Sequence, residues 1–118
     1  MTALQDMVRA LRAVTKAEAV ALINRDGSVL AADLPGGISQ ETFSIMCAAI
    51  LGAAMTAATE LHHSAPHRVL LESEDVTMLI SEIGRRAMLV VAVAPERSVT
   101  ELLSAVDRFA KAASKDLG

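Results

Sequence analysis

All three histidines of the chain, His62, His63 and His67, crowd into Glu60-Leu-His-His-Ser-Ala-Pro-His67, and a metal is the first chemistry such a cluster suggests. Their spacing works against it. Adjacent helical residues point about 100° apart, so His62 and His63 cannot close on one ion from a helix. Pro66 keeps His63 and His67 from forming an i, i+4 pair on one face. No Cys, Asp or Glu at ligand spacing completes a set. The histidines read instead as polar residues ending a helix, where a cation suits the dipole, and no metal is expected. Gly36-Gly37, just ahead of a helical pattern, could turn backbone N–H groups toward a phosphate. The rest of that apparatus is missing: there is no G-x-x-x-x-G-K-[ST], no G-x-G-x-x-G and no lysine close in sequence. The glycines read as a connecting loop, and no cofactor is expected.

Cys47 lies inside an apolar run with no histidine near it in sequence, the setting of an inert core thiol and not of a nucleophile. Glu72, Glu74 and Asp75 fall at a strand end and its turn, where charge is solvated, and they do not make a catalytic pair. Arg85 and Arg86 sit at another turn, from which they could serve a partner surface. No constellation supports an enzyme, so function is expected to lie in binding.

The elements that must present such a surface are those of one domain. A chain of 118 residues buries roughly two thirds of the surface its unfolded form exposes, and a second core is not expected. Hydrophobic residues make up 53% and charged ones 21%, which fits a packed domain and not a disordered one. With two Phe and neither Trp nor Tyr, the core is built from aliphatic side chains. The net charge of −3, without a basic block or stacking aromatics, argues against nucleic acid. One cysteine, and an amphipathic helix directly after Met1 in place of a basic and then apolar leader, predict a reducing, cytoplasmic setting.

Thr2 and Gln5 fit a capping box, and Leu4, Met7, Val8, Leu11 and Val14 recur at helical spacing, predicting a first helix over 3–14. Glu18 to Asn24 is apolar on both alternating faces, as in a strand covered on both sides. Asp26-Gly27 then gives a hairpin turn and Ser28 to Ala32 the returning strand. Leu34-Pro-Gly-Gly-Ile38 is a loop, Ser39 an N-cap, and a second helix is predicted to about His62. Strands over Arg68–Ser73, Val76–Ile83 and Ala87–Val93 form a meander, and Ser98 with Glu101 caps a third helix to about Lys115. The expected fold is an α+β sandwich of order α-β-β-α-β-β-β-α. Helix 2 covers one face of a five-stranded antiparallel sheet, and helices 1 and 3 cover the other.

Helix 2 is the unusual element. Between Ser44 and Thr56 no side chain is polar. An apolar run of this length is too short for a bilayer, which needs about 20 residues, so it is expected to be buried in protein and no membrane span is expected. A helix covering a sheet needs only an apolar stripe, so one apolar all round must be covered on more than one side. Ser44, Ala48, Gly52 and Thr56 form an i, i+4 row of small residues into which another helix could settle.

Three stretches carry a family resemblance over nearly the whole chain. They are Ala19-Val-Ala-Leu-Ile-Asn-Arg-Asp-Gly-Ser-Val-Leu-Ala-Ala32, Phe43-Ser-Ile-Met-Cys-Ala-Ala-Ile-Leu-Gly-Ala-Ala54, and Arg68-Val-Leu-Leu-Glu-Ser-Glu-Asp75 with the two strands after it. In order and spacing the chain resembles the roadblock family of dynein light chains and prokaryotic regulators of Ras-like GTPases. It departs in its basic Gly84-Arg85-Arg86 turn and in Pro95-Glu-Arg-Ser98, which lacks the Gly-Leu many relatives carry. The resemblance implies a profilin-like sandwich with no catalytic activity, and a homodimer built on helix 2 and the third strand. Carried onto this sequence, the interface would use Phe43, Met46, Cys47, Ile50, Gly52, Ala53, Ala54 and Ala57 of the helix, with Val69 and Leu71 of the strand. It also implies a small Ras-like GTPase as partner, activated or scaffolded, with Arg85 and Arg86 as candidate contacts. The alternative is a small-molecule sensor of profilin-like or PAS-like shape, against which an alanine-rich core poor in aromatics offers few polar anchors.

Overall fold

Every one of the seven residues of the strand Ala87–Val93 is buried, and the architecture follows from covering that strand on both faces. The computed structural model describes residues 3–117, which leaves the Thr2 half of the expected capping box outside the described residues. The elements run α1 (Ala3–Thr15), β1 (Ala19–Asn24), β2 (Val29–Asp33), α2 (Gln40–Glu60), β3 (Arg68–Glu72), β4 (Thr77–Ile83), β5 (Ala87–Val93) and α3 (Val99–Leu117). The strands form one sheet in the order β2-β1-β5-β4-β3, every neighbouring pair antiparallel. The expected α+β sandwich is what forms.

The alternation of side chains splits the sheet into two apolar layers. Val20 and Leu22 of β1 and Leu89 and Val91 of β5 point to the side of α1 and α3, where Val8, Leu11, Val106 and Phe109 meet them. Ala21, Ile23, Ile80, Met88 and Val90 point the other way, against Cys47 and Leu51 of α2. Thr77 and Ser81 break the apolar pattern of β4 and are nonetheless buried. The guanidinium of Arg68 answers Ser81, its Nε donating to the hydroxyl at 3.1 Å.

Two departures from the sequence boundaries have local causes. Pairing of β1 with β2 slips between Leu22 and Ile23, which skips Leu30 and leaves it partly exposed, and β2 runs Val29–Asp33, one residue late at each end. The second helix stops at Glu60, short of His62, because His62 adopts a left-handed backbone with φ of 63°. Its N–H donates to Thr59 O at 2.9 Å and that of His63 to Ala58 O at 3.0 Å, the paired bonds of a Schellman stop. Lys16, at φ 55°, closes α1 the same way, with Ala17 N donating to Arg12 O at 3.0 Å. The histidines thus end a helix, as their spacing suggests, and among the described residues no group of three His, Cys, Asp or Glu could hold a metal.

The length argument against a membrane span holds for the apolar run but not for the whole helix. Gln40–Glu60 is, by length and composition alone, long and apolar enough to cross a bilayer. In the fold it joins β2 to β3, strands at opposite edges of one sheet, and so lies across the sheet's face.

A side chain held in the left-handed region costs about 1–2 kcal/mol that glycine avoids, part of which glycine returns as chain entropy. Lys16→Gly and His62→Gly are each expected to raise stability by up to about 1 kcal/mol, read as an increased midpoint in urea unfolding; a decrease would mean the lost side chains contribute more than the strain.

Candidate protein-binding interface

α2 touches the sheet with little of its surface. Only Ser44, Cys47 and Leu51 are buried, an i, i+3, i+7 stripe, while Phe43, Ala48, Ile50, Ala54 and Met55 are half-buried along its borders. Ile45, Met46, Ala49, Gly52, Ala53, Thr56 and Ala57 face outward, and of the helix's most apolar stretch only 17% is buried. The helix is apolar all round but covered on one side. Its outer polar groups add little polarity to that surface: the hydroxyls of Thr56 and Thr59 donate back to Gly52 O at 3.1 Å and Met55 O at 2.8 Å.

This geometry sorts the residues assigned to an interface. Met46, Gly52, Ala53 and Ala57 lie on the outward face, and Phe43, Ile50 and Ala54 flank it. Cys47 turns the other way: at 2% exposure it is sealed against Ile80, Met88 and Val90 and can touch no second molecule. The small-residue row divides similarly, because each i+4 step drifts about 40° around the helix. Ser44 faces the sheet, its hydroxyl without a partner among the described residues, and only Gly52 and Thr56 reach the outside.

β3 supplies the second component. It is an edge strand, with Val69 and Leu71 on the α2 side and Leu70 on the other; Leu70 and Leu71 are 40% and 36% exposed. The opposite edge, β2, is blunted. The Gln5 side chain donates to Ala32 O at 2.9 Å and accepts from Ala32 N at 3.3 Å, and Arg12 pairs with Asp33 at 2.7 Å. Among the described residues no side chain answers the outward backbone of β3, so it is the edge left available for pairing. Of the eight large hydrophobic residues exposed among those described, Ile38, Ile45, Met46, Leu61 and Leu71 belong to or adjoin α2 and the α2 side of β3, which makes this the main gathering of exposed apolar side chains described.

Arg85 and Arg86 stand apart, at the β4–β5 turn, exposed and without an ion-pair partner among the described residues. Arg25 holds that turn against the one between β1 and β2. Its Nε donates to Arg85 O at 3.0 Å, its backbone N–H to Arg86 O at 3.0 Å, and its guanidinium pairs with Glu82 while touching the sulfur of Met55 at 3.5 Å. Sequence pattern missed this role, since its partners lie at least 30 residues away. The Asp26-Gly27 turn also does more than reverse the chain. Gly27 has φ of 92°, and a Cβ there would stand 3.0 Å from the Cα and Cγ1 of Ile45, so the turn rests on α2. Two hydrogen bonds from Ser28, hydroxyl first and backbone second, hold the Asp26 carboxyl below its ordinary pKa.

A small-molecule site finds less support. The cleft between the start of α2 and the sheet measures about 490 Å³ and is lined by apolar side chains with Glu18 and Asp75, both exposed.

These features define a sandwich of profilin type with one helix face and one strand edge left uncovered side by side. The chain belongs to the Roadblock/LC7 domain family, which matches residues 3–93. No curated protein sequence matches it. Its fold is similar to that of Myxococcus xanthus MglB, at 15% identity and a TM-score of 0.91 over 99% of this chain and 96% of that one. A structure described as MglB with tetrameric arrangement shares 20% identity, with a TM-score of 0.85 over 98% and 90% of the two chains. Profilin of Schizosaccharomyces pombe has the same fold at 14% identity, with a TM-score of 0.69 over 94% and 96%.

Burial raises the Cys47 thiol to about 11, which leaves almost no thiolate at neutral pH. Iodoacetamide is therefore expected to label Cys47 only after unfolding, by at least about a hundredfold in rate, followed by mass spectrometry; rapid labelling of the folded protein would contradict its placement against the sheet.

Proposed function

We propose that this chain is a homodimeric, non-enzymatic regulator or scaffold of a small Ras-like GTPase, acting in the cytoplasm. The observation that carries the dimer is the outward face of α2, where Ile45 and Met46 are 43% and 53% exposed beside alanines and Gly52. A second copy is the simplest cover, because a two-fold axis lets one patch bury itself. Two α2 helices crossing at Gly52 and Ala53 would approach closely, and two β3 edges would pair in the same contact. Because Ile45 and Met46 are already about half buried, covering each contributes about 1 kcal/mol, so against an association cost of about 4–15 kcal/mol the contact needs the apolar residues of both copies and the β3 edges together. The GTPase rests on membership of the Roadblock/LC7 family and on the similarity to MglB. With no arginine finger evident, activation would come from reshaping the partner's switch loops.

Gly52 separates interface from fold. Apart from its chain neighbours and the backbone of its own helix, nothing lies within 4 Å of a Cβ placed there, and the position is exposed, so a side chain there has open space in the single chain. Gly52→Arg is expected to weaken the dimer at least tenfold, about 1.4 kcal/mol, in light scattering while circular dichroism stays unchanged; an unaltered mass would remove α2 from the interface. Wild-type mass also distinguishes a dimer from a tetramer.

The GTPase is tested by co-purification with Ras-like GTPases of the same genome and by hydrolysis assays with and without this protein. Any stimulation is expected to survive Arg85→Ala and Arg86→Ala within about twofold, whereas a loss approaching 10³ would assign an arginine finger. Neither binding nor rate change with any candidate would defeat the reading.

A further inference from the structure

On the face of the sheet away from α2, α1 and α3 pack side by side and leave a gutter between them. Met7, Ala10 and Val14 of α1 meet Ala105, Phe109 and Ala112 of α3 around a cleft of about 260 Å³. Val14, Ala105 and Arg108 continue it into a second cleft of about 220 Å³ near the start of α3, where Arg97 joins the lining. Val14, at the junction, is 72% exposed, more than any other large hydrophobic side chain described. Water gains nothing from an apolar residue held there, and the alanines leave room for another backbone at helix-packing distance, about 8–10 Å between axes.

The rim decides the sign of the occupant. Arg108, Lys111 and Lys115 follow at i, i+3 and i+7 on the exposed flank of α3, and Arg97 faces the second cleft. None of the four is in an ion pair among the described residues; Arg108 donates only to the Ser104 hydroxyl, at 2.9 Å. Glu101 is the one carboxylate lining either cleft. Lys111 and Lys115 line neither cleft themselves and Asp107 on the same helix is taken by Arg68, but the four cations outnumber Glu101 and Asp116, so in a chain of net charge −3 this flank is a local basic strip. Two helices present no open backbone edge, so an extended strand has nothing to pair with here. A helix laid in the groove, apolar side down and acidic side against α3, satisfies both floor and rim.

We propose that the α1–α3 groove receives an acidic amphipathic helix of a partner protein, at a surface separate from α2 and β3. At 13 residues, α1 offers a track of about 20 Å, enough for some three to four turns of the guest. The seat is independent of the dimer, so its occupant can join the assembly without competing with self-association.

The probe is a fluorescein-labelled designed peptide of about 18 residues with Leu at helical a and d positions and Glu on the flanks, compared with the same peptide carrying Lys for Glu. Titrated into the full chain, the Glu peptide is expected to saturate, and the Lys peptide to bind at least about tenfold more weakly. Amide shift changes in two-dimensional NMR should centre on Met7, Ala10, Val14 and Ala112. Val14→Glu is expected to weaken the Glu peptide by about tenfold or more, as is the triple charge reversal Arg108→Glu, Lys111→Glu, Lys115→Glu, with the mass in light scattering unchanged. No saturation up to about 1 mM, equal binding of both peptides, or shift changes centred on α2 would overturn the proposal. Because Val14 and the three cations are exposed, retained circular dichroism in the variants separates lost binding from lost fold.

Discussion

The structure depends on burying one strand on two sides. β5 carries no polar side chain and no exposed position, so it needs neighbours at both edges and cover on both faces. β1 and β4 satisfy its backbone; α1 with α3, and α2 alone, satisfy its side chains. The two covers are unequal. Two helices share the load on one face and need only apolar stripes, which is why α1 and α3 are amphipathic. On the other face one helix crosses between the two edges of the sheet and buries only three residues, Ser44, Cys47 and Leu51.

Much of this was legible because the signals were local. Continuous apolarity marked β5 at its observed bounds, and Asp26-Gly27 marked the hairpin of β1 and β2, since both depend on side chains within a few residues of one another. What escaped was set by distance. The β-bulge at Leu30 is a matter of register with β1, and the early end of α2 depends on His62 entering a left-handed conformation that side chains rarely adopt. At the interface, apolarity revealed which helix matters but not which way each residue turns. Cys47 and Ala53 look alike in an unbroken apolar run, and only the sheet beneath distinguishes the sealed one from the outward one.

The edges show a similar division. Nothing in the pattern of β2 or β3 says which will be open. The decision is made by Gln5, a helical residue 27 positions away that places both ends of its amide on the backbone of Ala32 and so closes β2 to pairing. Arg25 acts likewise at the turns, tying the β4–β5 hairpin to the β1–β2 turn and to α2 through Met55. Such long-range side chains are invisible to periodicity, yet they determine that one edge and one helix remain available together.

This coincidence is the strongest physical argument for a shared surface. An exposed apolar helix face alone invites nonspecific association, and an exposed strand edge alone invites open-ended pairing. Placed side by side they constrain each other. If two copies paired through β3, that pairing would fix the rotation between them and with it how the α2 helices could cross, so the apolar contact would gain a register it would not have by itself. In the proposed dimer, the small outward residues Gly52 and Ala53 would keep the helices close enough for both contacts to form together. A bulky residue at either position would satisfy hydrophobicity and still separate the strands, which is the sense in which alanine and glycine, and not merely apolarity, belong on this face.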